Sequence, residues 1–387
     1  METIMPPVPF TIDVPDAAIV ELQDRLSAVR WPSSIDDDSR DDGASLSFMR
    51  RLADHWLNRF EWRLQERRLN RLPQFMTTID DQAVHFVHYR GVGPAPMPIV
   101  ITHGWPGSFV EMERLIPRLA DPGAYGGDPA DAFHVVVPSL PGYGFSPAPT
   151  KRSVSSREIA VLWRKLMAEL GYHAFVAQGG DIGAGVSTWL ARLFPETIRG
   201  IRLNFVPGSY RPSLGADAPP VTAEEQAFLD HVARWSAQEG AYASLQGTKP
   251  QTLSFALTDS PIGLAAWMTE KFRSWSDCDG DLESVISLDD VLTDISIYWF
   301  SGSLTASLRL YKENRLRPLV FEAGERVKPP LGVSVFPREI AMPPRSWVER
   351  VFDVRRWTKM PAGGHFAALE KPDLLAAELR EFCQPFR

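Results

Sequence analysis

At 387 residues, 44% of them hydrophobic, the chain can bury one large core or two modest ones. Its net charge of −7 argues against nucleic acid or an anionic membrane surface as the main partner. No apolar run is long enough to span a bilayer, and Met1–Phe10 lacks the basic and apolar parts of a leader, so a soluble cytoplasmic protein is expected. Two cysteines far apart, Cys278 and Cys383, suit a reducing compartment and show no zinc-ligand spacing; a bridge between them is not excluded.

Residues 1–92 read as a meander of helices followed by the first edge strands of a sheet. Ile19, Leu22 and Leu26 have helical spacing, and Trp31-Pro32 stops that helix. Phe48 to Arg68 has helical periodicity, and its Arg-rich end, Arg63 to Arg71, reads as a solvated helix face. Phe75 to Arg90 alternates as a hairpin does, with Asp80-Asp81 near the turn.

Residues 93–207 switch to strand–helix alternation, the pattern of a mostly parallel, doubly wound sheet. Pro98 to His103 is a strand that runs into His103-Gly104-Trp105-Pro106-Gly107-Ser108, and Ser108 and Glu111 have capping-box spacing. His103 reads as a hydrogen-bonding residue of the turn. Phe133 to Leu140 is a further strand, and the tight loop after it carries Tyr143 and Phe145. Ile201 to Val206 is the next strand. Residues 208–310 then interrupt the rhythm with helices over Val221–Glu239, Thr252–Phe272 and Leu288–Leu310, which read as a lid over the strand ends. Trp267, Trp275 and Trp299 suit an apolar substrate chamber, although lid packing explains them equally. Residues 311–387 supply the last strands, Leu331–Phe336 and Arg356–Met360, and a closing helix, Pro372–Phe382.

The stretch around which the chain is organised is Gly179-Gly180-Asp181-Ile182-Gly183, between an apolar strand and a helix. Glycine two residues before and two after a central residue marks a nucleophile elbow, a turn too tight for side chains at those positions. Serine is the usual occupant; here it is Asp181. A carboxylate nucleophile suits attack at carbon, giving an alkyl ester that water must hydrolyse. Glu339 and His365 each follow a predicted strand, and the order nucleophile, acid, histidine is that of the α/β-hydrolases. His365 would deprotonate water, and Glu339, preferred over Asp353, would orient it. The backbone N–H groups of Trp105 and Ile182 would form the oxyanion hole.

Several segments resemble the microsomal-type epoxide hydrolases in collinear order over essentially the whole chain. They are PFTIDVPDAAIVELQDRL from Pro9, LPQFMTTI from Leu72, HGWPGSFVEM from His103, GYGFS from Gly142 and GGDIGAGVS from Gly179. They continue with TKPQTLSFALTDSPIGLAAW from Thr248, YKEN from Tyr311, FPREI from Phe336 and GGHFAALEKPDLL from Gly363. The resemblance implies an α/β-hydrolase fold with a helical lid and an N-terminal meander. It implies a cofactor-free enzyme, with no metal, that turns an apolar epoxide and water into a vicinal diol. It also implies that two lid tyrosines, matched here by Tyr242 and Tyr311, hydrogen-bond the epoxide oxygen. Trp105, Phe145 and Trp267 are the expected pocket residues. The chain departs from the family's animal members in having no membrane-anchoring segment, which implies a bacterial, soluble form. It also has Ile182 where an aromatic is often found. A haloalkane dehalogenase and a catalytically silent binder of apolar ligands are the alternatives.

Overall fold

The computed structural model describes residues 4–206 and 218–387. The first strand, β1 (Ile4–Pro9), carries Pro6, Pro7 and Pro9, and its register with the next strand shifts between Met5 and Val8. Helices α1 (Asp16–Ser27), α2 (Leu46–Asn58) and α3 (Trp62–Leu69) follow. The single helix expected over Phe48 to Arg68 is thus two, turned at Arg59-Phe60-Glu61 so that Trp56 and Trp62 enter different parts of the core. The arginines there are not simply solvated: Arg68 reaches inward to Glu113 and to the buried Asp290.

Strands β2 (Gln74–Ile79) and β3 (Gln82–Tyr89) form the expected hairpin. Asp80 and Asp81 both adopt positive φ, at 50° and 66°, as a two-residue turn of this hand requires. Strand β4 (Met97–Thr102) leads into a short 3₁₀ turn, Phe109–Met112, and helix α4 (Leu115–Ala120). Ser108 Oγ accepts from Val110 N–H and Glu111 N–H donates to Ser108 O, but the Glu111 side chain makes no reciprocal bond to the Ser108 N–H. The expected capping box is therefore absent: the backbone tightens into 3₁₀ geometry and the Glu111 side chain is buried.

The chain continues through β5 (Phe133–Pro138), α5 (Ser156–Glu169), β6 (Phe175–Gly179), α6 (Asp181–Leu193) and β7 (Ile198–Leu203). The expected start of the helical insertion, residue 208, lies outside the described residues. Within it run α7 (Ala223–Glu239), α8 (Ala241–Thr248), α9 (Pro250–Asp259), α10 (Pro261–Trp275), α11 (Leu288–Ser301) and α12 (Leu304–Leu316). Two helices read as continuous are each broken. Ser260 caps α10 and Pro261 occupies its first position; Gly302, at φ 64°, ends α11. The last units are β8 (Val327–Val335), α13 (Arg345–Val348), β9 (Phe352–Lys359), α14 (Ala367–Glu370) and α15 (Pro372–Cys383).

Among the described residues nine strands form one sheet in the order β1-β2-β3-β5-β4-β6-β7-β8-β9. From β5 to β9 every pairing is parallel; β1, β2 and β3 attach antiparallel at one edge. The turns after β4, β6, β8 and β9 open at the same end of the sheet and carry Trp105, Asp181, Glu339 and His365. Helix α11 is buried from Asp290 to Tyr298 and is tied to the turn after β4. Asp294 accepts from Ser108 Oγ, and the Tyr298 hydroxyl donates to Gly107 O at 2.8 Å. No helix among the described residues is long and apolar enough to cross a membrane.

Candidate active site

Asp181 sits between β6 and α6 with φ at 46°, a conformation that costs a non-glycine residue energy and that its neighbours enforce. A Cβ on Gly183 would lie 2.0 Å from Thr102 O, and one on Gly179 would lie 2.2 Å from the Gly183 carbonyl. The elbow thus requires glycine at both positions because β4, β6 and α6 meet there backbone to backbone.

The Asp181 carboxylate is held at both oxygens. Oδ1 accepts the Trp105 N–H at 2.9 Å, and Oδ2 lies 3.7 Å from His365 Nε2. Ile182 is the second residue of α6, so its N–H belongs to the first turn, which has no acceptor within the helix. His365 Nδ1 lies 2.6 Å from Glu339 Oε1, which also accepts the Ile340 N–H at 2.8 Å. Asp353, the competing acid, pairs instead with Arg355 on β9. Burial disfavours charge on His365, but the negative charge and hydrogen bond of Glu339, with Asp181 beyond, lift its pKa to about 9.

Both tyrosines reach this point from the helical insertion. The Tyr242 ring stacks on Trp105 at 5.5 Å, the Tyr311 ring meets Trp105 edge-on at 5.8 Å, and the two phenols lie 5.9 Å apart. Burial, reinforced for each by the charge of Asp181, raises both phenol pKa values far above the ordinary one. Both are therefore neutral donors. The Tyr311 hydroxyl is buried and faces the Tyr242 phenol, a contact that raises the Tyr311 pKa and lowers that of Tyr242.

A family model described as the epoxide hydrolase N terminus matches residues 7–112, and one described as the alpha/beta hydrolase fold matches residues 97–262. Epoxide hydrolase 1 of Oryctolagus cuniculus is 36% identical over 97% of this chain and 88% of its own length. The chain belongs to the epoxide hydrolase family. A Stigmatella aurantiaca protein carrying a provisional epoxide hydrolase name is 43% identical over 98% of this chain and 85% of its own. The structure of Aspergillus niger epoxide hydrolase superposes with a TM-score of 0.86 at 29% identity, over 98% of this chain and 97% of that one.

Other epoxide hydrolase features expected from the sequence fall differently. Phe145 packs on Phe10, His85 and Phe109 beneath the N-terminal strand, because the loop after β5 folds back toward β3. It is half-buried against the core there, not at the Asp181 carboxylate. Trp267 is half-buried on α10 with its indole N–H on Gln246 Oε1, and Trp105 is fully buried at the carboxylate. His103 is a turn residue, accepting the Leu140 N–H at 3.2 Å, and Tyr143 OH donates to Ser307 O. Cys278 and Cys383 are free and buried. Among the described residues no cluster of His, Cys, Asp or Glu is arranged to hold a metal.

Sequence reasoning missed Glu370. Its carboxylate accepts the N–H groups of Asp277, Gly364 and Phe366, and so fixes the loop on both sides of His365. A carboxylate five residues after the histidine, at the end of the apolar run Phe366–Leu369, was the available signal.

Proposed function

We propose that the chain adds water to an apolar epoxide, giving a vicinal diol through an ester on Asp181. The observation that carries this reading is the convergence of two neutral phenols and one carboxylate on Trp105. With Oδ1 engaged by the Trp105 N–H, Oδ2 attacks an epoxide carbon and that ring C–O bond breaks. The departing oxygen takes a proton from Tyr242 or Tyr311, which becomes a phenolate. Phenol donors matter because an alkoxide is too basic to leave unassisted. They also favour an epoxide over a haloalkane, whose halide needs no proton.

In the second step water attacks the ester carbon while His365 takes its proton and Glu339 stabilises the imidazolium. Negative charge grows on Oδ1, which the Trp105 N–H already holds. The Ile182 N–H and the positive end of α6 supply the rest of the stabilisation. Collapse releases the diol, which takes the proton from His365, and the Asp181 proton returns to the phenolate. Every proton and electron pair is then accounted for by epoxide, water and these side chains. In this reading the helices from α7 to α12 serve as the lid, and two buried free thiols support a cytoplasmic setting.

Diol formation from styrene oxide and alkyl epoxides tests the reading. Asp181→Ala should lower turnover by about a thousandfold or more, and His365→Gln should accumulate an ester detectable as added protein mass. Diol formation that survives Asp181→Ala would overturn it, and chloride release from chloroalkanes would put a dehalogenase in its place.

A further inference from the structure

Behind the Asp181 carboxylate lies a cavity of about 20 Å³, enough for one water. Asp181, Trp105 and His365 line it; Tyr242 and Tyr311 do not. Water held here would thus reach Asp181 from a different side than the epoxide. Five further polar side chains line the cavity. Thr102 accepts from Trp163, His103 accepts from Leu140 and Asn204 accepts from Gln178, which leaves Glu111 and Gln178 as the two that are not fully partnered. Gln178 is 1% exposed on β6; its amide N–H donates to Asn204 at 2.9 Å, and its Oε1 is buried with no partner. Glu111 is 8% exposed, and its carboxyl makes no hydrogen bond among the described residues. A buried carbonyl oxygen without a donor is costly, and a water shared with the Glu111 carboxyl would supply one.

We propose that Glu111 and Gln178 are positioning residues that hold the water consumed in ester hydrolysis. The hydrogen-bond inventory fits one water. It donates to Gln178 Oε1 and to neutral His365 Nε2, accepts from the Glu111 carboxyl O–H, and keeps one lone pair for the ester carbon. Glu111 is suited to donate because burial, reinforced by the charges of Asp294 and Asp181 against that of His365, holds its carboxyl protonated well above the usual range. The step balances as before: the water oxygen bonds to the ester carbon, His365 takes the proton and returns it to the leaving alkoxide.

This inference rests on the Asp181 ester, so the test separates the two. Rapid-quench measurement with styrene oxide gives the rates of ester formation and ester hydrolysis independently. Glu111→Leu should leave ester formation within about threefold of wild type, slow its hydrolysis about tenfold or more, and make the ester accumulate. Glu111→Gln, which keeps a neutral donor and acceptor, should restore hydrolysis to within about threefold. Gln178→Met should give the same split as Glu111→Leu, and reports independently where that variant does not fold. Wild-type ester hydrolysis in the Leu and Met variants overturns the proposal. So does an equal fall in both steps, or a Gln variant as slow as the Leu one. If His365→Gln accumulates no ester, the failure belongs instead to the covalent reading beneath it.

Discussion

His365 must be charged and then neutral within one catalytic cycle, and its surroundings supply the switch. In the resting site its pKa is about 9, held up against burial by Glu339 and in part by the Asp181 carboxylate. Forming the ester removes the Asp181 charge, so the pKa falls and the imidazole becomes a base when a base is needed. Ester hydrolysis should therefore rise with pH to a plateau whose midpoint lies below the titration of His365 in the free enzyme. Single-turnover rates set against an NMR titration check this; a midpoint at or above about 9 contradicts it. Tyr311→Phe should slow ester formation about 10- to 100-fold and leave hydrolysis of the preformed ester unchanged. Equal losses in both steps would make the phenol a packing residue. Asp181, Glu339 and His365 were legible because each follows a strand in the order the fold demands. Glu111 was read as a helix cap, and Glu370 was passed over, because the burial that gives a carboxyl its meaning depends on distant segments.

At the scale of elements, the nucleophile is where it is because α6 presses on β4 and β6. Gly183→Ala would drive a methyl into Thr102 O, a backbone atom that cannot swing away. A loss of at least about 2 kcal/mol in urea unfolding, with ester formation largely abolished, is expected. Gly185→Ala, whose Cβ would meet Ser156 Oγ at 3.6 Å, should be neutral or slightly stabilising. Periodicity predicted the helices but ran through their breaks, since the apolar face continues across Ser260-Pro261 and Gly302 while the axis turns. Those residues were punctuation that the hydrophobic pattern outweighed. The residues in the turn before α10, by contrast, cap it in the way their types suggest: Ser260 Oγ accepts the Gly263 N–H.

For the molecule as a whole, the far side of the sheet is fastened by a buried charge. Arg202 on β7 is fully buried, donates to Ser334 and pairs with Glu378 of α15 at 2.6 Å, and Arg356 of β9 closes on the same carboxylate. Glu378→Leu leaves that guanidinium without its counter-charge and should cost about 3–5 kcal/mol, with kcat of the folded fraction unchanged. A melting temperature equal to wild type would show that solvent or another acid takes over. The parallel half of the sheet was readable from strand–helix alternation. The pairing of β3 with β5 was not, because antiparallel attachment across more than forty residues leaves no local trace.

The edges of that sheet have a consequence for molecules in a crowded solution. An open strand is a template on which another copy can add, and long flat edges invite aggregation. Here β1 ends one side with Pro6, Pro7 and Pro9, which have no N–H to offer, and with a register shift that interrupts any regular ladder. On the other side β9 carries Asp353, Arg355, Arg356 and Lys359 in eight residues. Strand-by-strand growth from one molecule to the next is blocked at one rim by missing donors and at the other by charge.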